Sequence, residues 1–242
     1  MKIEIDIEKF LENIETYAMD EEYDYTYYLI SYKLQRMQIT KMIGKLKPEH
    51  MSPILLLLRD WMPGGWVHWS EKTEKRWQMG FELCKALNNL NREFNLLDNV
   101  DLMQFDVDLH GLTVMRIFET INNLEFASSI EAIATVTSKI IHLLNPNLFV
   151  MWDTRIIKFY SFQPNGEGYL EFLTKMKKVA TQLKFHQSRI VDKTEELRKR
   201  AAEVYGEQIC SKKSLAKLID ENNWIKTRRP RSKYHSSAHT YR

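Results

Sequence analysis

The stretch SKIIHLLNPNLFVMWDTRI, residues 138–156, is mostly apolar. Its ionisable residues are one Lys, one His, one Asp and one Arg, and its other polar residues are short. Apolar residues recur at helical spacing in its first half and just before it, which predicts a helix over about residues 135–145. Thr135, Lys139 and His142 form a narrow polar stripe on that helix. Such a stripe indicates either a border with a cleft or a charged group, or a surface helix whose polar side faces water.

The second half of the same stretch predicts a helix end, a connector and a new helix. Pro146 ends the first helix, because the residue before a proline avoids helical backbone. Residues 147–152 form an extended connector, and Asp153 opens the next helix as a favoured N-cap. The helix dipole favours the ionised carboxylate, so Asp153 is either a cap alone or a rigid anion that stabilises a developing cation. Trp152 is expected to wall a pocket or to pack under the hairpin.

The composition extends this helical pattern to the whole chain of 242 residues. Hydrophobic residues make up 44% and charged residues 28%, a globular balance that supports a sizeable core in one large domain or two small ones. Only 8 Gly and 6 Pro are present, which leaves few turn-forming residues for many short strands. We therefore predict an all-α fold.

The cysteine count and the hydropathy bound the compartment and the kind of site. The chain has two cysteines, too few for a disulfide framework, a zinc ribbon or a four-Cys iron–sulfur site. The N-terminal MKIEIDIEKF is too acidic for a signal peptide, and the apolar runs are too short to span a bilayer. His235 and His239 lack further ligands, so neither a metal nor another cofactor is expected. We expect a soluble, cytoplasmic protein that does not enter a membrane.

Charge is distributed unevenly along the chain, despite a formal net charge of +3. Residues 93–131 carry eight acids against one base, Arg116, whereas residues 222–242 carry six bases and no acid. We interpret residues 1–221 as a single helical domain and residues 222–242 as a basic tail. A basic tail beside an acidic middle suits a polyanionic partner, or else the tail is simply solvated.

Four tryptophans between residues 61 and 77 offer large ring surfaces. Trp66 and Trp69 lie in or beside a Pro-Gly-Gly loop and are predicted to contact a flipped base or an unpaired strand. Trp61 and Trp77 are better explained as core anchors of two packed helices.

The order helix, hairpin, helix, extended connector and Asp-initiated helix resembles the helix-hairpin-helix DNA glycosylases over roughly residues 110–160. The hairpin would be Phe126–Thr135, and the Asp motif would be FVMWDTRI. The resemblance implies a helical bundle of two packed subdomains with a cleft between them and a helix-hairpin-helix element. Ala132-Ile133-Ala134 stands where that family usually has Gly-hydrophobic-Gly, whose backbone approaches a DNA phosphate.

The resemblance also implies roles for individual residues. Asp153 would stabilise positive charge on the sugar or help to activate the nucleophile. Lys139 would be the amine that attacks the sugar carbon, or else a salt-bridge partner of Asp153. A flipped base would be held by a set of pocket residues: Thr135, His142, Trp152, Trp66 and Trp69. Phosphates would be met by the hairpin and the tail: Ala132, Ala134, Thr135, Arg228, Arg229, Arg231 and Lys233.

The predicted function is removal of a modified base from duplex DNA by N-glycosidic cleavage, with or without lyase activity, by a monomer that needs no cofactor. Two alternatives remain open at this point. The first is a non-catalytic module that uses a glycosylase-like fold to bind nucleic acid or protein. The second is an enzyme that uses the same cleft on a small nucleoside.

Overall fold

The computed structural model describes residues 5–19, 21–61, 73–127 and 129–228. These ranges contain helices and no strand, which confirms the predicted all-α class. Short 3-10 helices cover Pro48–Met51 and Lys184–His186. The α-helices are α1 (Ile7–Ala18), α2 (Glu21–Arg36), α3 (Ile39–Met42), α4 (Ser52–Trp61), α5 (Thr73–Asn89), α6 (Asn91–Leu96), α7 (Val107–Asn122), α8 (Ile130–Leu144), α9 (Thr154–Tyr160), α10 (Gly166–Leu183), α11 (Gln187–Tyr205) and α12 (Leu215–Thr227).

Side-chain caps fix the first residues of α8, α9 and α12, three of the helices that line the candidate site. Ser129 accepts a hydrogen bond from the Ala132 N–H at the start of α8, and Asp153 caps α9 in the same way. Ser214 accepts from the Lys217 N–H at the start of α12. Each cap satisfies a backbone donor that has no partner within its helix, so these three residues determine where the helices begin.

Helix α12 packs against α1, α9 and α10, which brings the first and last described helices together. Helix α7 packs between α8 and α10, and α4 contacts both α2 and α8. One cluster of buried apolar side chains contains residues from α1 through α12. The described helices therefore share one main core.

The predicted hairpin differs from the observed structure. Helix α8 begins at Ile130, so Ala132 and Ala134 lie within its first two turns rather than in a hairpin spanning residues 126–135. The Ser129 hydroxyl accepts from the Ala132 N–H at 3.2 Å, because a capping Ser starts the helix earlier than the polar stripe suggested. The helix-hairpin-helix element is thus not confirmed.

The predicted boundary between the helical domain and the basic tail is also displaced. The basic tail was predicted to begin at residue 222, but α12 continues to Thr227. Trp224 explains the extension, because its ring makes edge contacts with Tyr17 and Tyr23 and so packs this part of α12 against α1 and α2. Within the described ranges, no helix combines the length and the apolar character needed to cross a bilayer.

Candidate active site

A cavity of about 320 Å³ opens between the N-terminal end of α9, the middle of α8 and the side of α12. Its aromatic lining comes from five residues: Tyr17, Tyr23, Trp61, Trp152 and Trp224. Its charged lining comes from four: Lys139, Asp153, Arg155 and Asp220. Lys139 and Asp153, predicted from one short stretch of sequence, therefore face the same hollow.

Asp153 is held rigidly at the start of α9. Its Oδ1 accepts the backbone N–H groups of Arg155 and Ile156, both at 2.8 Å. Neither bond uses Oδ2, which is left for other partners. The residue is half-buried and lines the cavity. Capping and exposure to the cavity thus occur together, and the cap fixes the carboxylate in place.

The connector before Asp153 is tied to α8 by three hydrogen bonds of Trp152, two of which involve Ser138, a residue not predicted from sequence. Ser138 donates to the Trp152 carbonyl at 3.0 Å and accepts from the Trp152 N–H at 3.2 Å. The indole N–H of Trp152 donates to the Ala134 carbonyl at 3.1 Å. Since Ser138 precedes Lys139 directly, these bonds fix the position of Asp153 relative to the lysine. A small polar residue within a predominantly apolar helix was the available signal.

Lys139 is almost completely buried, with 9% of its surface exposed. Its Nζ makes a long 3.4 Å hydrogen bond to the Trp61 carbonyl and lies 5.5 Å from the centre of the Trp61 ring. In the part of the chain that the structure describes, no ion pair within 4.0 Å joins it to Asp153. The salt bridge considered from sequence is therefore not formed.

This environment changes the protonation of Lys139. Burial lowers its pKa to about 8, because the charged ammonium loses its hydration. The carboxylates of Asp153 and Asp220 oppose the effect only in part, and the nearby Lys217 ammonium adds to it. A lysine with a pKa near neutrality has a substantial fraction of free amine, the form that attacks carbon.

Asp220 and Lys217 also belong to this site, although the sequence analysis passed over both. Asp220 lines the cavity, and its Oδ2 lies 2.7 Å from the Nζ of Lys217, which is not itself a lining residue. Both residues come from α12, about 80 positions away from Lys139 along the chain. No local spacing in the sequence indicates that α12 reaches the cavity.

His142 does not line the cavity, contrary to the prediction. It is fully buried, and its Nδ1–H donates to the Phe149 carbonyl at 2.6 Å while Nε2 accepts from the Tyr27 hydroxyl at 3.2 Å. Burial lowers the pKa of His142 to about 3, so the ring is neutral. The prediction failed because α2 covers this end of the polar stripe, and that contact is long-range.

The remaining pocket predictions have mixed outcomes. Thr135 lines the cavity, although its hydroxyl donates to the Glu131 carbonyl. Trp152 lines it too, with nearly all of its ring buried in the core. Trp66 and Trp69 lie outside the described residues.

Two of the predicted phosphate contacts are corrected by the structure. Ala134 is fully buried inside α8 and cannot meet a phosphate. Ala132 lines the cavity, but its N–H is already bonded to Ser129. Arg228 lies over the Trp224 ring at 4.4 Å, which places a guanidinium beside a cavity residue. The remaining tail predictions, Arg229, Arg231 and Lys233, fall outside the described residues.

Neither a metal-binding arrangement of side chains nor similarity to known proteins assigns a function to this site. Among the described residues, no group of three or more His, Cys, Asp or Glu side chains has an arrangement that could hold a metal ion. No protein-family model matches the chain, and no curated protein or solved structure matches it. The side chains of the cavity therefore carry the functional argument.

Proposed function

We propose that this protein is a DNA N-glycosylase that acts as a monomer on duplex DNA containing a modified base, with Lys139 as nucleophile and Asp153 as the supporting anion. The observation that carries the proposal is the convergence of these two groups on one aromatic-walled cavity. Among the described residues neither group forms an ion pair, so the amine and the carboxylate are both available for chemistry.

The reaction follows from the protonation states. The free amine of Lys139 attacks C1′ of the sugar, the glycosidic C–N bond breaks, and the bonding electrons leave with the base, which takes up a proton. The amine loses a proton as the new C–N bond forms, which leads to a Schiff base after ring opening. Asp153 lowers the barrier because positive charge develops on the sugar as the base departs, and a fixed anion stabilises that charge.

The walls of the cavity support recognition of an extruded base. Trp61, Tyr23 and Trp224 present rings to it, and bases stack on aromatic side chains regardless of sequence. The indole N–H of Trp61 is buried without a hydrogen-bond partner among the described residues, so a donor is available for a ligand acceptor. The volume lies at the lower end of the roughly 300–1,000 Å³ typical of small-molecule pockets.

Borohydride trapping on duplexes with varied lesions, combined with assays of base release, tests the proposal. Lys139→Gln should abolish the trapped complex, and Asp153→Asn should slow base release by about 100-fold or more. Both variants should bind duplex DNA almost as well as the wild type. Lys158→Gln, an exposed lysine on α9 outside the cavity, is the matched control and should keep full activity.

The wild-type rate of trapping should also rise with pH and level off above about 8, because only the unprotonated amine reacts. Duplex binding without release of any base or trapping would instead indicate a non-catalytic binding module. Strong competition by free nucleosides against duplex DNA would indicate a nucleoside-processing enzyme.

A further inference from the structure

A second groove, of about 770 Å³, lies on a different face of α12 from the cavity. Helices α1, α9, α10 and α12 form its sides. Asp220 and Trp224 of α12 face the cavity, whereas Asn222 and Lys226 face the groove. Helix α9 also joins the two, because it begins at the cavity with Asp153 and ends at the groove.

Lysines and aromatic rings alternate along the groove. Lys175 Nζ lies 4.7 Å from the centre of the Tyr160 ring, and Lys226 Nζ lies 5.1 Å from that of Phe159. Neither lysine has a carboxylate within ion-pair distance in the part of the chain described. Asp6 also lines the groove, but its Oδ1 caps α1 by accepting from a backbone N–H. The groove thus offers two cations without anionic partners beside ring faces.

The floor of the groove offers a hydrogen-bonding edge. Asn13 Nδ2 donates to Asn222 Oδ1 at 2.8 Å, which leaves Asn13 Oδ1 and Asn222 Nδ2 without partners among the described residues. The neighbouring Asn223 differs, because its side chain accepts from the Tyr160 hydroxyl and donates to Met176 Sδ. The pair thus carries one unused acceptor and one unused donor, the two kinds of group that bind the edge of a nucleobase.

We propose that this groove binds a nucleotide of an unpaired nucleic-acid strand. Lys175 and Lys226 meet its phosphates, the half-exposed ring of Phe159 stacks on its base, and the Asn13–Asn222 pair meets the edge of that base. The proposal rests on the proposed function only for the class of ligand, a nucleic acid, and extends it from the duplex to an unpaired strand. The length of α9, about 10 Å, corresponds to roughly three stacked nucleotides between cavity and groove.

Fluorescence anisotropy with a labelled single-stranded oligonucleotide tests the groove without any chemistry. Lys175→Gln should weaken binding severalfold and make the slope of log K against log salt shallower by about 0.7, the value for one phosphate contact on a single strand. Phe159→Ala should weaken binding by about tenfold through loss of stacking. Lys178→Gln, an exposed lysine on the same helix α10 outside the groove, is the charge-matched control and should bind like the wild type.

Equal binding by the wild type, Lys175→Gln and Phe159→Ala overturns the proposal, provided that thermal unfolding shows all three to be folded. Competition by a free 5′-mononucleotide as strong as that by the oligonucleotide also overturns it, in favour of a small nucleotide ligand. The measurement is repeated in the Asp153→Asn background, which separates it from base release. Groove variants that lose binding while the wild type releases no base would retain the groove and reject the glycosylase.

Discussion

Two buried lysines lie against the ring of Trp61 but differ in their hydrogen-bond partners and in the direction of their pKa shifts. Lys217 Nζ is 5.2 Å from the centre of the Trp61 ring, and Lys139 Nζ is 5.5 Å from it. Lys217 is surrounded by acceptors: Asp220 at 2.7 Å, the Tyr17 hydroxyl at 3.2 Å and Glu221 at 3.5 Å. Among the described residues, Lys139 has one hydrogen-bond acceptor, the Trp61 carbonyl at 3.4 Å.

The partners decide the sign of the pKa shift. Burial alone would lower the pKa of Lys217, but Asp220, Tyr17 and Glu221 together outweigh it, and the pKa is raised well above its ordinary value. Burial prevails at Lys139, where the pKa falls to about 8. Burial therefore lowers the pKa of a lysine only where a close anion is withheld, whereas a paired ammonium of equal depth keeps its charge.

The ionic cluster around Lys217 extends further into the core. Lys213 lies 2.8 Å from Glu221 and also pairs with Asp24 of α2, so α12 is joined to α2 through buried charges. Such a cluster fixes the position of α12 and hence the wall of the cavity that this helix provides. The paired Lys217 thus supports the site in which Lys139 lies.

Removal of the structural lysine is the largest effect that this comparison predicts. Lys217→Met should lower the free energy of unfolding by about 3–5 kcal/mol, because Asp220 and Glu221 would lose a buried cation. Urea denaturation measures it, with Lys199→Met, an exposed lysine on α11, expected within about 0.5 kcal/mol of the wild type. A loss below about 1 kcal/mol for Lys217→Met would mean that the pairs contribute little.

The opposite result is predicted for Lys139. Lys139→Met should raise the free energy of unfolding by about 1–3 kcal/mol at pH 7, because it removes a charge that burial disfavours. The folded-state pKa lies below the unfolded value near 10.5, so the cost of the wild-type charge is fully present below about pH 8. The advantage of the variant should then shrink between about pH 8 and 10.5.

Denaturation of both proteins across that pH range measures the difference. A destabilised Lys139→Met variant, or an advantage that grows with pH, would show that Lys139 is held by partners as Lys217 is. The two lysines would then not differ in how burial and partners set their charge.

Sequence alone predicted the parts of this site that depend on short spacing. The end of the helix before Pro146, the non-helical residues 149–152 and the Asp153 cap all follow from local backbone preferences, and the structure contains them. Residues 146–148 form a turn, so the connector is shorter than the predicted 147–152. Lys139 was found because it interrupts an apolar helix. These signals survive because each depends on residues within about one or two helical turns.

Long-range contacts account for what sequence missed. His142 belongs to the same polar stripe as Lys139, yet Tyr27 of α2 covers it and makes it a core residue. Asp220 and Lys217 read as an ordinary pair on a short helix, because nothing near them indicates that α12 closes the cavity. The difference between the two lysines is therefore visible only once α12 is placed.

The smallest predicted effect concerns Asp220, whose carboxylate pairs with Lys217 and also favours the charged form of Lys139. It supports the charged form of Lys139 without pairing with it, so Asp220→Asn should move the titration of that amine to lower pH, by less than about one pH unit. Reductive methylation by formaldehyde and borohydride, quantified for Lys139 by peptide mass spectrometry, follows the free amine without any DNA.

Glu221→Gln removes an equally buried carboxylate that acts on Lys217 and not on Lys139, and should leave the profile unchanged. An unchanged or upward-shifted profile for Asp220→Asn would show that the protonation of Lys139 does not depend on α12, and that the two lysines are independent.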